Sequence, residues 1–129
     1  MKINIQNWRP YQVSDIFDVV YGVNLELNAC DETVFDDHEG INFVSRSKEN
    51  NGVTAYIKRV ESVEPQAAGI ITVAGGGSSV LSTFVQQEPF YSGRDLYLLI
   101  PKEKYQGVTF YSKQFICAVI MANKYKYSF

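Results

Sequence analysis

Short runs of β-branched and aromatic residues alternate with polar punctuation along most of the chain. INFVS (Ile41 to Ser45) and VTAYIKRVE (Val53 to Glu61) are two such runs, separated by the polar stretch RSKENNG. Val, Ile, Tyr and Phe fit the pleated surface of a sheet, and Asn51-Gly52 marks a tight turn because both residues tolerate positive φ. A hairpin is predicted there. GIITVA (Gly69 to Ala74) reads as a buried strand, GGGSS as a flexible turn, and VLSTFVQQ (Val80 to Gln87) as the strand that follows. Leu96 to Ile100 predicts a further strand, stopped by Pro101, which has no N–H to give to a ladder.

The period changes near the C-terminus. From about Ser112 to Ala122, with Ser112 as N-cap, Ile116, Val119, Ile120 and Asn123 fall at i, i+3, i+4 and i+7. Phe115, Cys117, Ala118 and Met121 widen that stripe, so the helix is expected to be largely enclosed. A shorter helical turn is expected near Ser14 to Phe17, and an irregular acidic loop over Leu25 to Gly40. The predicted fold class is α+β: a β-rich twisted sheet or partly open barrel with one well-defined C-terminal helix packed on it.

Length and composition restrict the function classes. A chain of 129 residues, 46% hydrophobic and 20% charged, is sized and composed for one folded unit. No apolar run approaches the roughly 18 residues of a membrane span and the start has no signal-peptide pattern, so a cytoplasmic protein with no membrane partner is expected. Cys30 and Cys117 form no CxxC pair, which leaves neither a zinc knuckle nor a disulfide framework, and Cys117 within FICAVIM reads as an inert core thiol. The net charge of −2 conceals an asymmetry: residues 1–40 carry −6 and residues 41–129 carry +4. Arg46, Lys48, Lys58 and Arg59 are expected close together around a turn, as a local basic patch in a chain whose pI of about 5.3 disfavours general polyanion binding.

Catalytic constellations are missing. GGGSSV has no Lys after its glycines and leads into a strand-like segment, so it is not a Walker loop; it reads as a flexible hairpin that can also face a ligand. The lone His38 in Asp36-Asp37-His38-Glu39 suits an exposed acidic loop better than a metal site, since consecutive residues of an extended chain point to opposite sides. There is no Gly-x-Ser-x-Gly elbow, no second histidine for an HNH nuclease, no Pro-Asp pair to begin a carboxylate-and-lysine nuclease signature, and no Asn-Pro-Pro-Tyr-like segment. Among nine Tyr and eight Phe, Phe17, Phe43, Phe84, Phe90 and Phe115 are expected in the core. Lys124-Tyr125-Lys126-Tyr127 interleaves base and aromatic as nucleic-acid surfaces do, although a solvated final strand has the same pattern.

Several segments in order, namely Trp8, DIFDVVYG, INFVSRSKENNGV, AGIITVAGGGSSVLSTFVQQEPFYSGRDLYLLIPK and FICAVIMANKYKYSF, resemble a target recognition domain of a restriction-modification specificity subunit, type I or BcgI-like. The resemblance runs over nearly the whole chain; SRSKENNGV, then GIITVAGGGS, then KYKYSF, is its most specific part. It implies a noncatalytic β-rich module that lies against double-stranded DNA and reads one half of a bipartite target. In complete subunits two such domains are joined by long helices that carry DNA methyltransferase subunits, with a restriction subunit as a further candidate partner. Residues 1–129 would then be one recognition domain, one half of a longer specificity subunit, ending at Phe129 where the family continues with Gly-Arg and a long helix. No cofactor is implied for this chain; S-adenosylmethionine, ATP and Mg would belong to partner subunits.

The residue chemistry accommodates this. Ser45, Arg46, Ser47, Lys48, Asn50 and Asn51 place donors and acceptors in one excursion between strands, where Arg suits guanine and Asn suits adenine. Gly76, Gly77, Ser78 and Ser79 could bring backbone and hydroxyls to phosphates, and Lys58, Arg59, Arg94, Lys124 and Lys126 supply charge. The competing account of SRSKENNGV is a hairpin whose polar side chains merely close the turn. A small β-rich carbohydrate- or protein-binding module using exposed tyrosines is the alternative function.

Overall fold

The computed structural model describes residues 12–123 and contains two four-stranded sheets and one long helix. The strands are β1 (Phe17–Tyr21), β2 (Glu32–Thr33), β3 (Ile41–Val44), β4 (Val53–Ile57), β5 (Ile71–Ala74), β6 (Thr83–Val85), β7 (Phe90–Ser92) and β8 (Leu96–Pro101). A single helical turn, α1 (Val13–Ile16), precedes them and α2 (Phe110–Ala122) follows them. One sheet runs β1-β8-β5-β6 and is antiparallel throughout. The other runs β2-β4-β3-β7, with β3 and β7 parallel. Neither sheet closes into a barrel. Among the described residues no helix is long and apolar enough to cross a membrane.

Side-chain alternation builds the layers. On β8, Leu96 and Leu98 point to the second sheet and join Val44 of β3 and Phe90 of β7, with Ile100 packed beside them. Leu99, one step out of phase, points the other way and meets Phe17, Ile71, Val85 and Cys117 under α2. Phe43, Ile57 and Tyr91 occupy the outer face of the second sheet, where Leu25, Leu27, Val60 and Val63 cover them. The order through the molecule is therefore α2, first sheet, second sheet, covering loops. Each fully buried Leu, Ile or Phe contributes roughly 1.5–3 kcal/mol, which makes β8, with three leucines facing two layers, the central strand energetically as well as spatially.

Several expectations are corrected. The helix begins at Phe110, not near Ser112, because the Thr109 side chain is the cap and accepts the N–H of Ser112 at 3.1 Å. Nor is it enclosed: only Cys117 is buried, while Tyr111, Phe115 and Val119 are exposed, Phe115 by 70%. Phe84, expected in the core, is half-buried. VLSTFVQQ is a strand only over β6, since Leu81 takes a φ of 64° and turns the chain first. The acidic segment 25–40 contains β2, added to the edge of the second sheet beside β4. Tyr125, Tyr127, Lys124 and Lys126 lie outside the described residues.

One buried hydroxyl and one buried thiol can be tested. The Tyr91 hydroxyl accepts the Val60 N–H at 3.0 Å and donates to the Val63 carbonyl at 2.8 Å, fastening the loop that covers the outer core. Tyr91→Phe leaves both backbone groups unpaired and is expected to lower stability by about 1–3 kcal/mol, read as a shifted urea midpoint at unchanged slope. Burial pushes the Cys117 thiol up to about 11. Partial burial and the neighbouring Asp31 raise the Cys30 thiol as well, but Cys30 is partly exposed, so at pH 8 a disulfide reagent should label it slowly and reach Cys117 only on unfolding.

Candidate nucleic-acid interface

Strand direction sends four loops to one end of the molecule. β3 ends at Val44 paired with Val53, so residues 45–52 emerge there. β7 runs parallel to β3 with Ser92 beside Val44, which brings residues 93–95 to the same end. β8 starts next, Leu96 pairing with Ala74, so the 75–82 loop after β5 emerges there too. Tyr21 at the end of β1 pairs with Tyr97, adding residues 22–26. Between the 22–26, 45–52 and 93–95 loops lies a cleft of about 390 Å³, with Asn24, Glu26, Ser45, Arg46 and Arg94 on its walls.

The 45–52 loop is held by its own polar side chains. Asn50, Asn51 and Gly52 have φ of 49°, 57° and 81°, three consecutive left-handed residues that Asn and Gly tolerate better than other types. Asn50 donates from Nδ2 to the Val53 carbonyl at 3.0 Å, and the Glu49 N–H donates to Ser47 Oγ at 3.1 Å. Ser45 Oγ shares a hydrogen bond of 2.7 Å with Thr54, the residue left over where the β3–β4 register shifts. Asn51 reaches the other sheet: its Nδ2 donates to the Val85 carbonyl at 3.0 Å, and Gln86 Nε2 returns a bond to the Asn51 carbonyl at 2.8 Å. Four of the six polar residues nominated in this loop thus stabilise the loop. Arg46 and Lys48 remain as the outward-reaching cations.

The glycines have distinct jobs. A Cβ on Gly75 would stand 2.5 Å from the Tyr97 ring and 3.0 Å from the Asp95 carbonyl oxygen, so the backbones approach as only Gly allows. Gly76 and Gly77 face the Arg46 guanidinium, whose Nη1 lies 3.4 Å from the Cβ position of each. Gly77, with φ of 74°, also starts the turn into exposed Ser78 and half-buried Ser79. The two loops expected from the sequence to face a ligand are therefore in contact, with Arg46 between them.

Two acids meet the arginines. Arg46 Nη1 lies 3.2 Å from Asp95 Oδ2, and Arg94 Nη2 lies 3.9 Å from Glu26 Oε1. The Tyr21 hydroxyl donates to Asp95 Oδ1 at 3.0 Å and accepts the Asp95 N–H at 2.7 Å. Sequence reading missed Tyr21 and Asp95, which lie 74 positions apart and carry no motif.

Lys58 and Arg59 are not part of this group. They follow β4, whose five residues carry them roughly 16 Å along the sheet to its opposite end. Arg59 is paired there with Glu64, and the Lys58 N–H donates to the Asp31 carbonyl. The basic patch expected around one turn is thus divided between two ends. At that far end the Thr33 hydroxyl and the Glu39 N–H hold the Asp37 carboxyl below the usual range, so the acidic stretch is a hydrogen-bonded loop; among the described residues no group of three His, Cys, Asp or Glu could hold a metal ion.

A contrast between neighbouring glycines checks this geometry. Gly75→Ala must displace a ring or the Asp95 backbone and is expected to cost roughly 1–3 kcal/mol. Gly76→Ala brings its Cβ only into ordinary van der Waals contact with Arg46 Nη1, at 3.4 Å, and is expected to stay within about 1 kcal/mol of the parent. Paired urea titrations read the difference.

No protein family's profile matches the sequence, and no curated protein matches it. Solved structures do. The type I restriction-modification system S subunit from M. genitalium matches 91% of this chain with a TM-score of 0.62 at 14% identity, over 29% of its own length. The HsdS subunit from Thermoanaerobacter tengcongensis matches 97% with a TM-score of 0.55 at 14% identity, over 39% of its length. A chain from a structure of type I R-M complex assembly and conformational transition matches 98% with a TM-score of 0.56 at 15% identity, over 40% of its length. The chain spans less than half of each, and at these identities the likeness is one of fold. That fold, found as a portion of type I S subunits, is the one the sequence resemblance implied.

Proposed function

We propose that this chain is a noncatalytic recognition domain for double-stranded DNA, reading one half of a bipartite target within a restriction-modification complex that contains DNA methyltransferase subunits. The observation that carries the reading is the convergence of the 45–52 and 75–82 loops and Arg94 on one end of a fold shared with type I S subunits. Base readout needs side chains that project with unsatisfied donors, and phosphate contact needs accessible backbone and charge. Arg46 and Lys48 fit the first requirement, and the Gly76-Gly77-Ser78-Ser79 segment with Arg94 fits the second.

The charge of this end sets the strength of binding. Arg46, Lys48 and Arg94 share it with Glu26, Glu49 and Asp95, so it carries no strong field to draw DNA in. Affinity of the chain alone for a half-site is accordingly expected at micromolar or weaker.

Fluorescence anisotropy with short duplexes tests the reading. Affinity should fall with salt with a log–log slope of about −2 to −3, as two or three phosphate contacts require. Arg94→Ala should weaken binding to all sequences and reduce that slope by roughly one, whereas Lys58→Ala, at the far end, should leave both unchanged. An affinity indifferent to salt would point instead to a carbohydrate- or protein-binding module.

A further inference from the structure

Arg46 is held from several directions. Its guanidinium lies above Gly76 and Gly77, with Cζ 3.7 Å from the Gly77 Cβ position, and Asp95 Oδ2 occupies the Nη1 edge at 3.2 Å. Asp95 is in turn fixed. Its φ of 55° puts the carboxylate on a left-handed backbone, its carbonyl accepts the Gly75 N–H at 2.7 Å, and its N–H and Oδ1 both bind the Tyr21 hydroxyl. The Tyr21 ring is itself set edge-on against Tyr97, at 5.2 Å between centroids.

Stability does not explain this arrangement. The Arg46 and Asp95 side chains are 33% and 44% exposed, and an ion pair so wetted contributes little to folding. What the pair does supply is orientation. A guanidinium has five N–H donors in a rigid plane, and a carboxylate on one edge leaves the others aimed in a fixed direction. A flexible side chain would have to be ordered during binding, whereas one already held reaches a bidentate acceptor such as guanine O6 and N7 without that loss.

Resting on the DNA-recognition reading above, we propose that Asp95 and Tyr21 are positioning residues that preset Arg46 to read a guanine edge, with Asp95 gripping the guanidinium and Tyr21 gripping Asp95. Specificity at one base pair then depends on two residues that need not touch DNA. The other base pairs of the half-site do not depend on them.

The test is selection of bound duplexes from a pool with randomised base pairs by the whole chain at low salt, followed by sequencing. The parent protein should enrich a motif containing a guanine whose preference Arg46→Ala abolishes, a loss of roughly five- to a hundredfold at that position. Asp95→Asn keeps a residue that tolerates the left-handed backbone but removes the charge, and should lose roughly two- to fivefold at the same position while other positions keep their preferences. Tyr21→Phe retains the ring and removes the hydroxyl, and a smaller loss confined to that position is expected. Near-UV circular dichroism and melting midpoints unchanged in both variants would separate positioning from a folding defect. Asp95→Asn that leaves the guanine preference intact, or that raises affinity for every sequence alike, overturns the positioning role and makes Asp95 a bystander or a competitor for Arg46. A parent protein that enriches no motif overturns the DNA-recognition reading itself, and the positioning role with it.

Discussion

The arrangement of the loop-bearing end depends on a hydrogen-bonded link between the two sheets. Asn51, at the tip of the β3–β4 connection, donates to Val85 of β6 and receives a bond from Gln86, whose Nε2 also bonds Thr72 Oγ1 on β5. Gln86 is buried, so each of these groups would lose roughly 1–3 kcal/mol if left without its partner. The link therefore fixes more than a turn. It sets the 45–52 loop of the second sheet against the first sheet, and so brings Arg46 over the glycines that follow β5. With the turn free to move, Arg46 and Gly76 would belong to unrelated loops.

The same link decides which side chains are available for a ligand. Three successive left-handed residues are unfavourable in most sequences, and Asn-Asn-Gly reduces that cost by composition and by local hydrogen bonds. Asn50 and Asn51 have their amides committed to Val53 and Val85. An Asn whose Nδ2 is held on a loop carbonyl keeps one N–H and its Oδ1, but its amide plane is turned to the loop and would have to leave it to meet an adenine edge in bidentate fashion. The polar richness of SRSKENN thus divides into a scaffold, made of its Ser and Asn residues, and a projecting pair, Arg46 and Lys48.

Much of the fold was legible because it is written locally. β3, β4, β5 and β8 are runs of β-branched and aromatic residues bounded by Asn-Gly, Gly or Pro, and α2 has a helical period. β1, β2 and β7 were not legible. β2 is two residues at an edge, β1 exposes Val19, Val20 and Tyr21, and β7 is fixed by parallel pairing to β3, a partner almost fifty residues away that no local pattern announces. The helix was misread as enclosed because Phe115 and Val119 are apolar, yet they lie on the face turned away from Ile116, Cys117 and Ile120, which reach the core. Apolarity fixes which residues can be buried; topology fixes which are. The site was legible as two loops but not as one place, because the contacts of Arg46 to Gly76 and Asp95 cross 30 and more residues and depend on both sheets.

Charge balance gives this end its character. A surface built for affinity would set its arginines among other bases, so that every polyanion is attracted. Here Arg46 faces Asp95 and Arg94 faces Glu26. A duplex that offers only phosphates gains little by displacing those carboxylates, since it replaces one anion by another. A base edge that accepts two hydrogen bonds in the plane of a held guanidinium gains contacts without removing the carboxylate from the opposite edge. On the proposed DNA-recognition reading, pairing each arginine with an acid would weaken binding to DNA in general more than binding to the right sequence. Were the chain one of two linked recognition domains, as proposed, the second contact would form at the high effective concentration set by the first, and linkage would recover the lost affinity.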